Sequence, residues 1–463
     1  MNDNPETRQG GGMSRAELRA ALSLSGVYSL RMLGLFLILP VFALYAGDLK
    51  DVTPALTGLA IGAYGITQAL LQIPAGMLSD RIGRKPVIIG GLLVFALGSV
   101  VAAQAETIHM VILGRALQGA GAIAAAIMAL VADLTREEHR IKAMALIGMS
   151  IGLSFALAMV LGPVLDRLVG VPGIFWITAG LAAAGILVVG FVVPHPPQAR
   201  MHREAEAVPA QFGRVLRNPE LLRLDFGILV LHMVLTASFV VLPLVLRDQA
   251  GLEADYHSLV YLPVLVASVL AMVPFIILAE RKGHVKPVFT GAIAVLVVAE
   301  VGLFLLPLTL FNVVFLLFVF FAAFNLLEAT LPSLISRVAP ADCRGTAMGV
   351  YSSSQFLGAF LGGALGGLVQ GRFGLQAVFL FTALALLVWL IAALSMQAPR
   401  KLGSYIHKLG RVESGDVERI RRELAALEGV AEAVVVPGDG VAYLKVDRQV
   451  FDAATLPGSG GQP

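Results

Sequence analysis

Apolar residues dominate this chain in long unbroken runs, not in the two- or 3.6-residue alternation of a half-exposed strand or helix. A window of roughly 20 residues, the helical length that crosses about 30 Å of hydrocarbon, predicts twelve spans. They fall at 21–45, 58–79, 86–104, 108–132, 142–165, 174–194, 222–246, 257–279, 287–307, 312–335, 346–369 and 375–396. The longest polar interruption, 195–221, follows Pro194 with His195-Pro196-Pro197 and divides the spans six and six. The predicted organisation is an N-terminal tail (1–20), a six-helix bundle (21–194), a linker (195–221) and a second bundle (222–397). A small domain (398–456) and a disordered tail (457–463) follow. Residues 1–20 are polar, so the first span is expected to stay as an anchor and not to leave with a signal peptide.

Composition agrees with a polytopic membrane protein. Of 463 residues, 57% are apolar and 14% charged, against about 45–50% and about 25% in soluble domains. Mean hydropathy is +0.83. The only cysteine, Cys343, excludes a disulfide scaffold and a multi-thiolate metal site. The net charge of +3 and pI near 9.0 reflect topology, not nucleic-acid binding. Of the 34 Lys and Arg, 28 fall on the side that carries both termini and four on the other, which predicts both termini in the cytoplasm.

The two halves share an internal repeat. Pro74, Asp80 and Gly83 reappear as Pro274, Glu280 and Gly283, offset by 200; Gly162 returns as Gly362, and Ala143-Met144 as Ala347-Met348. Two six-span repeats in the same orientation place a substrate site at their interface near the midplane.

Gly76-Met77-Leu78-Ser79-Asp80-Arg81-Ile82-Gly83-Arg84-Lys85-Pro86 reads as a tight cytoplasmic turn. Gly83 permits an unusual backbone angle, Pro86 starts a helix, Asp80 can face a helix N-terminus and Arg84 offers a bidentate fork. A plain basic loop would explain the cations but not this Gly, Asp and Gly spacing. In the fourth span, Arg115, Gln118 and Gly119 share one helix face. An arginine there faces a partner or wet cavity, or else snorkels to the external end. Gly162-Pro163 lie in the fifth span, followed by Leu165-Asp166.

The 76–86 segment resembles the loop signature of the major facilitator superfamily, Arg115 to Gly121 its fourth-helix motif, and Gly162-Pro163 its fifth-helix kink. Leu165-Asp166 stand where that last motif usually has paired glycines. Ser29 to Gly34, Phe324 to Glu328 and Gly345 to Tyr351 look like the YajR group within it. The resemblance implies a twelve-helix fold and a proton-driven inner-membrane transporter of drugs or solutes. It implies that the first, fourth, seventh and tenth helices line the path, so that Arg31 and Glu328 face it. It further implies that Arg84 pairs with Asp133, and that Asp80 meets the eleventh helix near Gly345 and Thr346 when the cytoplasmic side is closed.

Other polar residues inside spans carry more than one reading. His232 in the seventh span titrates near physiological pH, and both a packing role and a proton site fit it. Glu300, in the peripheral ninth span, suits a structural pair or a protonated acid. Asn325 lies one helical turn before Glu328. In the tail, Tyr405-Ile406-His407 predicts a short strand, Val417 to Leu427 a helix, and 433–446 a hairpin. Strand–helix–hairpin resembles the ferredoxin-like domain of the same group, which would bind a regulator or pack on the cytoplasmic face. The Cys-x-x-Cys of related metal-binding domains is absent.

The expected function is secondary transport of a small organic solute by alternating access in the bacterial inner membrane, with protons moving inward and solute outward. No cofactor, metal or nucleic-acid partner is expected; the proton gradient is the energy source and the lipid bilayer the surrounding. No ATP-binding loop and no His/Asp/Glu cluster with ligand spacing occurs, which disfavours a pump or an enzyme. A proton-coupled uptake symporter or facilitator, and a membrane sensor acting through the C-terminal domain, are the alternatives.

Overall fold

The computed structural model describes residues 12–194, 209–397, 402–409, 415–437, 440–447 and 450–456; the predicted disordered tail, 457–463, lies outside them. The apolar runs form helices α1 (Arg15–Phe36), α2 (Pro54–Ile82), α3 (Arg84–Ala103), α4 (Ile108–Leu134), α5 (137–169) and α6 (171–187). The second half follows with α7 (Pro219–Asp248), α8 (His257–Lys282), α9 (Val285–Leu305), α10 (Leu310–Val338), α11 (Arg344–Phe373) and α12 (Leu375–Leu394). Boundary chemistry is local. Ser14 and Glu17 form a reciprocal capping box at α1, Thr53 caps α2 and Thr107 caps α4.

Two spans depart from a simple rod. The first ends early, at Phe36, and a short helix at Phe42–Tyr45 completes its depth. The fourth breaks between Ala120 and Ala124. A Cβ on Gly121 would overlap the Gly91 carbonyl, so α4 touches α3 by backbone at the break. The break frees the Gly121 carbonyl, which accepts a hydrogen bond from Arg31 at 3.3 Å. Between α5 and α6 the chain turns without a loop, at Gly170 (φ 69°). By contrast, Pro163 sits inside a helix whose only non-helical dihedral pair is at Gly170, and Gly162 packs its bare face on Pro40 and the Leu37 carbonyl.

α11 is wedged between the halves. Its Gly363 and Gly367 meet Gly58 of α2 backbone to backbone, and a Cβ on Gly62 would lie 2.7 Å from the Phe360 carbonyl. On its other face, Gly358, Gly362 and Gly366 lie against Leu229, Met233 and Ala237 of α7. Small residues four apart let helices approach closely in a medium that offers no hydrophobic drive between them. Because α2 and α11 run in opposite directions, this seam lies at the end remote from the Gly83 turn. Arg167 and Asp255 pair across the halves at 3.7 Å, also at that end.

The C-terminal unit contains β1 (Leu402–Lys408), α13 (Val417–Ala425), β2 (Val430–Val436) and β3 (Val441–Asp447). The strands lie in the order β1-β3-β2, all antiparallel. Leu424 of the strongly amphipathic α13 packs on Ala433, Val435, Ala442 and Leu444. Lys445 extends from the sheet to the C-terminal end of α10, donating to the carbonyls of Arg337 (2.7 Å) and Val338 (3.3 Å). A cation on the last carbonyls of a helix also complements its dipole.

Candidate functional site

A cavity of about 1740 Å³ lies between the two bundles. Asp80, Arg84, Arg136, Gly345 and Tyr405 line its mouth, which places the opening at the end of the Gly83 turn. The glycine seam closes the opposite end. Thus α2 and α11 touch over their remote halves and diverge at Gly76 to Asp80 and Gly345 to Gly349, where both line the cavity. Most of the wall is apolar, with Met32, Phe36, Phe155, Leu265, Met272 and Phe324 among its residues.

The first half contributes a polar cluster built on guanidinium groups. Arg115 is buried on the cavity wall and donates to Gln118 Oε1 at 2.7 Å; Gln118 Nε2 in turn donates to Ser99 Oγ at 2.7 Å. The side chain therefore turns into the bundle and does not snorkel outwards. Gly119, on the same face, backs directly onto the Tyr64 carbonyl and Thr67, where any side chain would overlap them. Arg31 does not reach the wall as expected from the resemblance. It is held one layer behind it, donating to Gln68 Oε1 at 2.6 Å and stacked within 5.5 Å of the Phe95 ring. Tyr64 is the common neighbour, its ring 5.4 Å from both guanidinium carbons. Cation–π contacts of this kind strengthen when water is excluded.

The second half contributes an acid and a base. Glu328 of α10 and His232 of α7 both line the cavity, with 3.8 Å between Oε2 and Nε2. Gln355 of α11 bridges them: its Nε2 lies 2.8 Å from His232 Nε2 and 3.4 Å from Glu328 Oε1. An amide donor facing Nε2 requires that nitrogen to accept, which leaves the proton of a neutral imidazole on Nδ1. Asn325 also faces the cavity and donates to Ser268 Oγ at 3.0 Å. Glu300 is fully buried away from the cavity, accepting from Ser238 (3.0 Å) and Thr382 (2.7 Å), a structural arrangement that ties α9 to α7 and α12.

At the mouth, Gly83 (φ 98°) turns the chain from α2 into α3. Arg84 is buried there; it pairs with Asp80 and donates to Asp133 Oδ2 at 3.2 Å and to Ser79 Oγ at 2.9 Å. Lys85 reaches the Val193 carbonyl at 2.5 Å, at the end of the sixth span, whereas Arg81 is exposed. Gly76 lets α2 approach Ala125 of α4. Across the mouth, Arg136 is held by Glu17 at 3.0 Å, and that hydrogen bond lowers the Glu17 pKa to about 2.

Four participants escaped the sequence reading. Gln68, Gln72 and Gln355 lie inside apolar spans, and the first two, one helical turn apart on α2, form a local signal that could have been found. Asp225, near the start of α7, is buried with neither carboxylate oxygen hydrogen-bonded among the described residues. A charge so near the end of a span passes in sequence for an interfacial residue.

The model of the Major Facilitator Superfamily matches residues 24–363 and 232–418. The inner membrane transport protein YajR of Escherichia coli K12 is 48% identical over 439 residues, 95% of this chain and 96% of its own. The multidrug resistance protein 2 of Bacillus subtilis is 26% identical, covering 79% of this chain and 92% of its own. Among solved structures, a bacterial homologue of the human lysosomal transporter Spinster, in an inward-facing and occupied conformation, superposes with a TM-score of 0.69. It is 15% identical and covers 83% of this chain and 97% of its own, which shows a shared fold.

Proposed function

Because the chain belongs to the major facilitator superfamily of membrane transporters, we propose that it moves a small organic solute across the bacterial inner membrane. The cycle is alternating access, with protons running inward and the solute outward. One observation carries this reading: a cavity between two six-helix halves is closed at one end by a glycine seam and open at the other. With the termini in the cytoplasm, as the Lys and Arg distribution predicts, the open end faces the cytoplasm, the side from which an exporter loads. The similarity to a multidrug resistance protein and the largely apolar wall support an amphipathic solute.

Glu328, with His232 and Gln355 against it, is the proton-exchanging group in this reading. Glu328 lines the cavity within 3.8 Å of His232, so a proton passed through the cavity would reach both groups. The test uses proteoliposomes with an imposed pH gradient and a solute identified by screening. Glu328→Gln, which mimics the protonated acid, is expected to abolish gradient-driven flux while leaving solute exchange measurable. Unchanged gradient-driven flux in that variant would remove Glu328 as the proton site.

A further inference from the structure

Arginines at the mouth and arginines in the wall are treated differently by this fold. Arg84 has Asp80 and Asp133, and Arg136 has Glu17. Arg31 and Arg115 are both about 1% exposed, and among the described residues neither has a carboxylate partner. Arg31 Nε and NH1 and Arg115 Nε have no hydrogen-bond acceptor among those residues. Two uncompensated cations around one tyrosine ring, in a medium of low dielectric, are costly and project a strong positive potential into the adjacent cavity.

The hydrogen-bond order around them is directional. Arg31 can only donate, so Gln68 must present Oε1 to it; Gln68 Nε2 then donates to Gln72 Oε1 at 2.9 Å. The chain leaves the amide N–H groups of Gln72, a residue of the cavity wall, as donors with no acceptor among the described residues. The wall at Tyr64, Gln72 and Arg115 thus offers positive potential and a free donor, bordered by the apolar side chains of Met32, Phe36 and Met128.

We infer that the solute is an organic anion, its acidic group seated at Gln72 and Arg115 against Tyr64 and its apolar body lying along the hydrophobic wall. This deepens the transport reading above and rests on the cavity being the solute path. The anion supplies the negative charge that Arg31 and Arg115 lack, and its polar group accepts the hydrogen bonds that Gln72 offers. An apolar body also separates it from a small inorganic ion, which the same potential would attract.

The test is thermal unfolding of the full-length protein in detergent with 4-phenylbutyrate, its neutral amide 4-phenylbutanamide, or sodium chloride at equal concentration. The carboxylate is expected to raise the Tm saturably, and the amide and chloride to leave it unmoved. Gln72→Glu, which keeps the side-chain size and supplies the missing carboxylate in place, is expected to weaken the response to phenylbutyrate about tenfold or more. Arg115→Gln is expected to do the same, by loss of a charged hydrogen-bond partner. Absence of stabilisation by phenylbutyrate, equal stabilisation by the amide or by chloride, or an undiminished response in Gln72→Glu would each overturn the proposal. The measurement needs neither a gradient nor flux. Anion binding without gradient-driven transport would defeat only the coupling, and transport of a neutral solute without anion binding would defeat only this assignment.

Discussion

The two walls of the cavity come from the two six-helix halves, yet they hold opposite chemistry. The first half presents guanidinium groups and amide donors around Tyr64; the second presents Glu328 and His232 joined through Gln355. No ion pair links the walls among the described residues, so each half keeps its own electrostatic character. A permanently charged wall recognises, because arginine does not release its proton at any accessible pH. In the proposed reading, the wall of carboxylate and imidazole is the one that switches, since these are proton-exchanging groups by chemical type. In the proposed cycle, solute affinity and energy coupling would thus fall to different halves.

That division can be broken most directly at Arg115. Lysine retains the charge but lacks the planar fork that holds Gln118 and faces Tyr64. Arg115→Lys is expected to lose at least about tenfold in transport, nearly as much as Arg115→Ala, since an amide left without its buried partner costs roughly 1–3 kcal/mol. Flux assays on variants shown to insert normally would check this, and wild-type flux in the lysine form would reduce the first wall to a bare positive charge.

A smaller effect is expected at Asp80, which belongs to the first half but stands at the mouth. In the open arrangement its ion-pair partner is Arg84, and the N-terminal end of α11 at Gly345 lies across the opening. A carboxylate at a helix N-terminus contributes about 0.3–1 kcal/mol exposed and up to about 2 when partly buried. If Asp80 moves to that position on closure, Asp80→Asn should bias the resting population toward the open-mouthed state by a few-fold. A thiol probe placed in the cavity should then react faster from the cytoplasmic side. Reactivity equal to wild type would confine Asp80 to its turn.

The smallest expected effect calibrates the contrast with an arginine that does have its acid. Glu17 is held well below the usual carboxylate range, at about 2, chiefly by Arg136. A depressed folded-state value means that this pair stabilises the fold above the unfolded value near 4.5 and loses that contribution as pH falls from there toward 2. Glu17→Gln should lower the Tm by a few degrees at pH 7 and by progressively less as the pH approaches 2. A Tm difference that stays constant over that range would assign the stabilisation to the capping box alone.

Much of the architecture was legible before any coordinates. Long apolar runs have few alternatives in a bilayer, because the backbone must satisfy its own hydrogen bonds there. The six-and-six division, the amphipathic helix at Val417 and the hairpin at 433–446 also follow from one-dimensional pattern. The Arg84 and Asp133 contact came from resemblance, not from spacing, since 49 residues separate them. What stayed hidden depends on depth and neighbours. Hydropathy cannot tell that Arg31 lies behind the wall and Arg115 upon it, because both are single arginines within apolar helices. Nor can it show that Gly121 ends a helix segment and lies against Gly91. Glutamine is the least conspicuous polar residue in such a scan, yet Gln68, Gln72 and Gln355 carry the connections between the charged groups.

The two glycine faces of α11 have a consequence for how the halves are joined. A helix that surrenders side chains in order to touch α2 and α7 by backbone also surrenders the apolar surface that would carry it into lipid. α11 is accordingly missing from the helices that are long and apolar enough to cross a membrane on their own account, although its neighbours α10 and α12 both qualify. The surfaces that receive it are backbone strips, of α2 at Gly58 and Gly62 and of α7 at Leu229 and Met233. The contacts that seat α11 are thus the contacts that join the two halves, and the helix that closes the cavity is also the one through which the halves meet.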